Sequence, residues 1–197
     1  MSIETERELK TLITQNQAQQ IAHNYPFAAE FAQINVYFDT NANSLRDLGA
    51  AVRIRRFDDY AELTLKLRQT KEAARTITEF TDRLDTATAD GFIANDQLPT
   101  TGTVARELNK LNVAPTQLHK FAQMTTKRRE CELPGCKLVL DDNLYMDGTQ
   151  DFELEIEYEE ADAATQLMTG LTHHFKIKGR RGSNKIARAS AHMPKAN

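Results

Sequence analysis

Residues 3–13 alternate, with Ile3, Thr5, Arg7, Leu9, Thr11 and Ile13 on one side of an extended chain and Glu4, Glu6, Glu8, Lys10 and Leu12 on the other. A period of two is the mark of a β-strand. The signal returns at 33–39, at 50–57 and 60–68 across an Asp58-Asp59 turn, and at 75–83, where Thr76, Ile77, Thr78 and Phe80 supply strand-favouring side chains. Strands are expected again at 125–133 and 137–142, joined by Pro134-Gly135, and at 152–158, where apolar Phe152, Leu154, Ile156 and Tyr158 alternate strictly with Glu153, Glu155 and Glu157. Elsewhere the spacing is helical. It predicts a short helix over 15–24, one turn at 44–49 closed by Gly49, amphipathic helices at 103–111 and 115–124, a helix over 161–175, and a basic one over about 183–191.

About eight strands joined mostly by hairpins, with helices concentrated in the second half, define an α+β chain. At that strand count a closed antiparallel eight-stranded β-barrel with peripheral helices is the economical way to remove sheet edges. The expected organisation is a single domain over 1–197, with a helical insertion at about 85–124.

Charge then sharpens the picture. Taken strand by strand, an alternating charged face is the ordinary solvated side of a sheet. Here the signs are sorted by strand. Glu153, Glu155 and Glu157 share one face, as do Glu6, Glu8 and Lys10 on the first strand. Arg53 and Arg55 share a face; so do Glu62, Thr64, Lys66 and Arg68, and later Thr126, Arg128 and Glu130. Like charges on one strand repel, and a merely soluble surface intersperses them. If the apolar faces turn outward under helices, the charged faces point inward. Carboxylates two residues apart offer oxygen ligands to Mg²⁺ or Mn²⁺, and arginine forks match phosphate oxygens. A neutral or apolar ligand would leave such charges uncompensated at large cost.

Composition removes other classes. The 197 residues carry a net charge of −3, without the basic excess of a dedicated nucleic-acid binder. No leader-like segment or membrane-length apolar run is visible, so a cytoplasmic location is expected, with no membrane partner. Cys131 and Cys136 flank a hairpin turn; two thiols do not complete a structural zinc site and read as reduced cysteines. The 179–182 glycines lack P-loop spacing, and Ser183 lacks a nucleophile-elbow context. His173-His174, at a helix end without spaced partners, reads as structural or exposed.

Glu6-Arg7-Glu8-Leu9-Lys10 matches the pattern ExExK, and an ordered series follows it: Tyr37-Phe38-Asp39, Arg53 and Arg55, Leu65-Lys66-Leu67, Arg128, Leu140-Asp141, Glu153 and Glu155, and Ser183-Asn184-Lys185. In these motifs the chain resembles the CYTH superfamily, which includes class IV adenylyl cyclases, thiamine triphosphatases and inorganic triphosphatases; it is most similar to small stand-alone members from Gram-positive bacteria. The resemblance covers almost the whole chain. It implies a triphosphate tunnel in which Glu6, Glu8, Glu153 and Glu155 hold a divalent metal, with Glu157 as an alternative to Glu153. Arg53, Arg55, Arg128 and Lys185 would bind phosphate, and Lys10 and Lys66 would assist the chemistry. Arg129 is expected to point away. Glu79 is open between orienting a cation and facing solvent.

The function expected from these readings is metal-dependent hydrolysis of a triphosphate-containing small molecule, by direct water attack, in a monomer or homodimer. Inorganic tripolyphosphate stands first as substrate and thiamine triphosphate second. The alternatives are an adenylyl cyclase, which needs a purine pocket at the tunnel mouth, and a non-catalytic polyphosphate- or nucleotide-binding module, which would not need four carboxylates.

Overall fold

A computed structural model describes residues 2–68, 77–179 and 184–194, with the backbone alone for residues 2–6. The chain is α+β, as expected. Its strands are β1 (Ser2–Glu6), β2 (Glu8–Ile13), β3 (Phe31–Asp39), β4 (Ala50–Arg56), β5 (Ala61–Arg68), β6 (Ile77–Leu84), β7 (His119–Leu133), β8 (Cys136–Tyr145) and β9 (Gln150–Tyr158). The helices are α1 (Gln15–Asn24), α2 (Ser44–Asp47), α3 (Thr86–Ala94), α4 (Thr103–Lys110), α5 (Ala161–His174) and α6 (Lys185–Ala191).

All nine strands form one antiparallel sheet in the order β1-β6-β5-β4-β3-β7-β8-β9-β2. This differs from the closed ring of eight in a specific way. The first predicted strand is broken at Arg7; β1 pairs with β6, and β2 pairs with β9. The hydrogen-bonded order therefore starts and ends on consecutive pieces of chain, and a single residue joins the two edges of the sheet.

Antiparallel partners present their side chains on the same face. By that rule Lys10 lies with Glu155, Glu153 with Asp141, Asp141 with Arg128, Asn35 with Arg55, and Lys66 with Glu79. The alternation read from the sequence thus places one charged face across the whole sheet. The opposite face is apolar where the helices cover it. Val52, Ile54, Leu63 and Leu65 pack with Leu108, Val104 and Ala89 of α3 and α4. Leu138, Leu154 and Ile156 pack with Ile21 of α1 and Leu171 of α5. Each such side chain contributes about 1.5–3 kcal/mol on full burial, enough to fix which face turns to the helices.

Three helices, α1, α3 and α6, start where the sequence provides side-chain caps. Thr14 accepts from the Gln17 amide, and the Gln17 side chain accepts from Thr14 N, closing a capping box on α1. Asp85 caps α3 at 2.8 Å and Asn184 caps α6 at 2.8 Å. α4 is capped across the fold: Asp82 of β6 accepts from Val104 N at 2.8 Å.

The helix expected over 115–124 is not formed. A 3-10 turn, Pro115–Gln117, leads directly into β7. Tyr37 pairs with Ala122 but Phe38 pairs with Lys120, so Phe121 is an extra residue in a β-bulge. The bulge breaks the period of two, and this stretch of β7 therefore carries no strand signature in sequence. The helical insertion ends accordingly before β7. Residues 75 and 76 of the expected strand at 75–83, and Ser183 of the last predicted helix, lie outside the described residues.

Candidate active site

Three carboxylates meet on the charged face. Asp141 of β8 and Glu153 and Glu155 of β9 are all buried, and one ligand oxygen from each lies within 4.8 Å of the others. Three cations hold them. Arg128 Nε and Nη2 donate to the two Asp141 oxygens at 2.8 and 2.7 Å, and Nη2 also donates to Glu155 at 3.0 Å. Arg188 grips Glu153 with both terminal nitrogens, at 3.3 and 2.9 Å. Lys185 Nζ sits among all three acids: 2.5 Å from Asp141, 3.1 Å from Glu153 and 3.2 Å from Glu155. Both Lys185 and Arg188 come from α6, which lies on the charged face; its Ala189 packs with Tyr37, Ala122, Met124 and Tyr145.

The electrostatics follow from burial in charge-balanced company. Burial pushes the Asp141 and Glu155 carboxyls up, but Lys185 and Arg128 outweigh it and hold both below the usual carboxylate range. Burial likewise acts to lower the Lys185 ammonium, and Glu155, Asp141 and Glu153 raise it above the ordinary lysine value.

The basic side differs. Arg53 and Arg55 project from β4, and among the described residues neither is in ion-pair contact with a carboxylate. Arg53 Nε is buried with no hydrogen-bond partner. Among the described residues Arg55 Nε donates to Asn35 Oδ1, at 3.2 Å. Burial, then Arg53 and Arg128, push the Arg55 guanidinium down to about 9. A guanidinium keeps its proton in proteins, so this marks a cation held against its surroundings.

The remaining expected residues are distributed as follows. Glu8 and Lys10 pair with each other on β2. Burial acts to lower the Lys10 ammonium, but Glu8, Glu155 and Glu153 raise it. Lys66 pairs with Glu79, so Glu79 does orient a cation. Glu157 is not one of the three grouped carboxylates; it pairs with Lys137 at 2.7 Å and also lies 3.7 Å from Arg128. Arg129 points away and meets Glu30 at 3.0 Å. The Glu6 side chain and residues 180–183 lie outside the described residues. Two residues of the cluster had not been singled out as site residues. Asp141 was obscured because Val139 interrupts the polar alternation of β8. Arg188 follows Lys185 at i+3, the spacing that places two side chains on one helix face, so a signal was present.

The oxygen set suits a hard divalent cation. Mg²⁺ and Mn²⁺ take carboxylate oxygens at about 2 Å, a distance compatible with three donors grouped this closely. Lys185 Nζ occupies the middle of that set.

Residues 4–190 match the CYTH domain. The chain is 31% identical over 190 residues to the candidate triphosphatase YjbK of Bacillus subtilis strain 168, covering 95% of each. Among solved structures, a candidate adenylate cyclase of Bacillus halodurans is similar with a TM-score of 0.82 and 27% identity, over 95% of this chain and 98% of that one. A candidate adenylyl cyclase of Hippeastrum, described as having a dominant triphosphatase activity, shares the fold with a TM-score of 0.79 and 23% identity over 95% of each chain. The chain belongs to the CYTH domain family.

Proposed function

We propose that this protein is a divalent-metal-dependent triphosphatase that draws its substrate along the charged face of the curled sheet. The observation that carries the reading is the imbalance between the two ends of that face. The carboxylates of β8 and β9 are matched by cations in direct contact, whereas Arg53 and Arg55 are partly buried and, among the described residues, in ion-pair contact with no carboxylate, Glu62 across the strand acting on Arg55 only from a distance. A polyanion relieves their repulsion, and a triphosphate spans several such positions, two residues along a strand being about 6.6 Å. That β1 and β2 are consecutive while forming the two sheet edges supports a tunnel rather than a flat sheet.

In this reading Glu153, Glu155 and Asp141, with Glu8 and Glu6 on the neighbouring strand, would hold Mg²⁺ or Mn²⁺; bound there, the ion neutralises phosphate charge and lowers the pKa of attacking water. Arg53, Arg55 and Arg128 orient the phosphates by forked hydrogen bonds. Arg128 is held by Asp141 and Glu155, and its Nη1 faces Glu130 at 3.8 Å and Glu157 at 3.7 Å, so a phosphate would meet this nitrogen in competition with them. Lys10 and Lys66, each held by a glutamate, supply positive charge on either side of the transferred group. Lys185 must leave the triad for a metal to enter. Catalysis rests on positioning and charge neutralisation, as in other phosphoryl transfers.

Phosphate release from tripolyphosphate, thiamine triphosphate and ATP, with Mg²⁺ or Mn²⁺ and with cyclic AMP scored in parallel, tests this directly. Metal-dependent release from at least one substrate is expected. Absence of metal-dependent release from all three substrates overturns it, and binding without release would favour the non-catalytic module instead.

A further inference from the structure

The hydrogen bonds of Arg55 lead, through buried polar side chains, to a carboxylate on the far side of the charged face. Arg55 Nε donates to Asn35 Oδ1 at 3.2 Å. Asn35 Nδ2 donates to Thr126 Oγ1 at 3.4 Å, and Thr126 Oγ1 donates to Asn143 Oδ1 at 2.8 Å. Asn143 Nδ2 then donates to Asp151 Oδ1 at 2.9 Å. The links cross the sheet strand by strand, from β4 through β3, β7 and β8 to β9. The second Asp151 oxygen accepts from Tyr145 Oη at 2.5 Å and lies 2.8 Å from Nε of Arg188, the arginine that grips Glu153. Asn35, Thr126 and Asn143 are 1%, 0% and 0% exposed.

The direction of every link follows from its ends. A guanidinium only donates and an ionised carboxylate only accepts. Asn35 must therefore turn its oxygen to Arg55 and its nitrogen to Thr126, while Asn143 turns its nitrogen to Asp151 and its oxygen to Thr126. The threonine hydroxyl, accepting on one side and donating on the other, closes the chain. Neither amide can flip without leaving a buried donor or acceptor unpaired, which costs more than the bond itself contributes. A chain with one solution holds its terminal arginine in one orientation. Arg55 has need of such a brace. Arg53 and Arg128 act on it as like charges, and Glu62, opposite it on β5, attracts it from a distance. That pull runs toward β5, whereas the bond to Asn35 runs toward β3, on the other side of the strand. With Nε committed to Asn35, the plane of the guanidinium is set and its Nη fork is left to meet a ligand.

We propose, resting on the triphosphatase reading above, that Asn35, Thr126 and Asn143 are positioning residues for phosphate binding: buried and touching no substrate, they carry the anchoring of Asp151 across the sheet to Arg55 and fix its fork in the orientation that a phosphate meets. The same Asp151 carboxylate holds Arg188, so the basic and acidic ends of the charged face share one anchor.

Thr126→Val keeps the branched shape and removes the hydroxyl, cutting the chain in its middle; Thr126→Ser keeps the hydroxyl and serves as the conservative control. Asn143→Leu cuts it three strand spacings from Arg55, about 14 Å, and stands in should Thr126→Val fail to fold, as thermal unfolding will show. Tripolyphosphate binding by calorimetry with Mg²⁺ and steady-state KM are measured in each variant, alone and combined with Arg55→Met. Thr126→Val and Asn143→Leu should each weaken binding and raise KM about fivefold to tenfold with kcat little changed, and Thr126→Ser should match wild type. In the Arg55→Met background the same substitutions should cost less than about twofold, because the residue they act through is gone; sites this far apart otherwise add. A second readout needs no ligand. Hydrogen exchange of the Arg55 Nε–H, its NMR signal assigned by its loss in Arg55→Met, should accelerate in Thr126→Val and Asn143→Leu but not in Thr126→Ser. Unchanged affinity in the folded variants, an equal penalty with and without Arg55, or unaltered exchange overturns the proposal and leaves the triphosphatase reading standing. A wild type that binds neither tripolyphosphate nor ATP refutes that underlying reading instead, and the exchange measurement still decides whether the chain anchors Arg55.

Discussion

Lys185 Nζ lies 2.5 Å from Asp141 Oδ2, joining the last helix of the chain to a fully buried carboxylate in the middle of the sheet. With this lysine gone, Asp141, Glu153 and Glu155 would keep in direct contact the two arginines, with Lys10 acting from the neighbouring strand. Lys185→Met is expected to cost about 3 kcal/mol in chelator, the penalty of an uncompensated buried charge. Mn²⁺ or Mg²⁺ should restore part of it, because the same oxygens accept a divalent cation. Urea unfolding with and without metal is the check; an equal loss in both buffers would mean that the triad does not take up a metal.

Arg55 gives the opposite expectation. It is held among like charges, so Arg55→Met should leave thermal stability in phosphate-free buffer unchanged or raise it, a common outcome where a site is strained for function. Tripolyphosphate affinity should fall by about 10- to 100-fold, one charge-assisted hydrogen bond or more. Arg55→Lys should recover little, since an ammonium does not reproduce the fork. Calorimetric titration against wild type would detect either failure: retained affinity in Arg55→Met, or full rescue by lysine.

Acid should destabilise the fold through the triad. Asp141 and Glu155 titrate below their ordinary values when folded. The unfolded chain therefore binds protons first, and the stability these groups contribute, complete above about pH 5, drains away as pH falls through 4 and below. Denaturant midpoints measured from pH 7 to pH 3 should show this slope. In the double variant Asp141→Asn, Glu155→Gln the slope should flatten, and an unaltered slope would place the acid sensitivity elsewhere.

Away from the site, Asp82 and Gly102 form the joint between β6 and α4. Asp82 Oδ2 caps the Val104 amide, and Gly102 adopts φ +104 with room for no side chain, an added Cβ meeting that same oxygen at 2.7 Å. Asp82→Ala should cost about 1 kcal/mol as a lost cap, and Gly102→Ala should cost more because it combines contact with backbone strain. Neither should alter KM for tripolyphosphate. A changed KM would show that α4 transmits to the charged face.

The alternation of residues 3–13, 50–68 and 152–158 was enough to assign most strands, the sorting of charge onto one face, and the helices α1 and α5, because period and capping are local properties. It also exposed Arg53, Arg55, Glu153 and Glu155 as a set. Three things depended on the tertiary structure. The bulge at Phe121 shifts register against β3, so its strand is legible only beside its partner. Asp141 and Arg188 enter the acid cluster because strands β8 and β9 and helix α6 converge there, a relation between residues far apart in the chain. And the counterion of each charge is a matter of distance: sequence shows arginines and glutamates in equal plainness, but only the fold decides that Arg128 is neutralised by Asp141 while Arg53 and Arg55, among the described residues, touch no carboxylate.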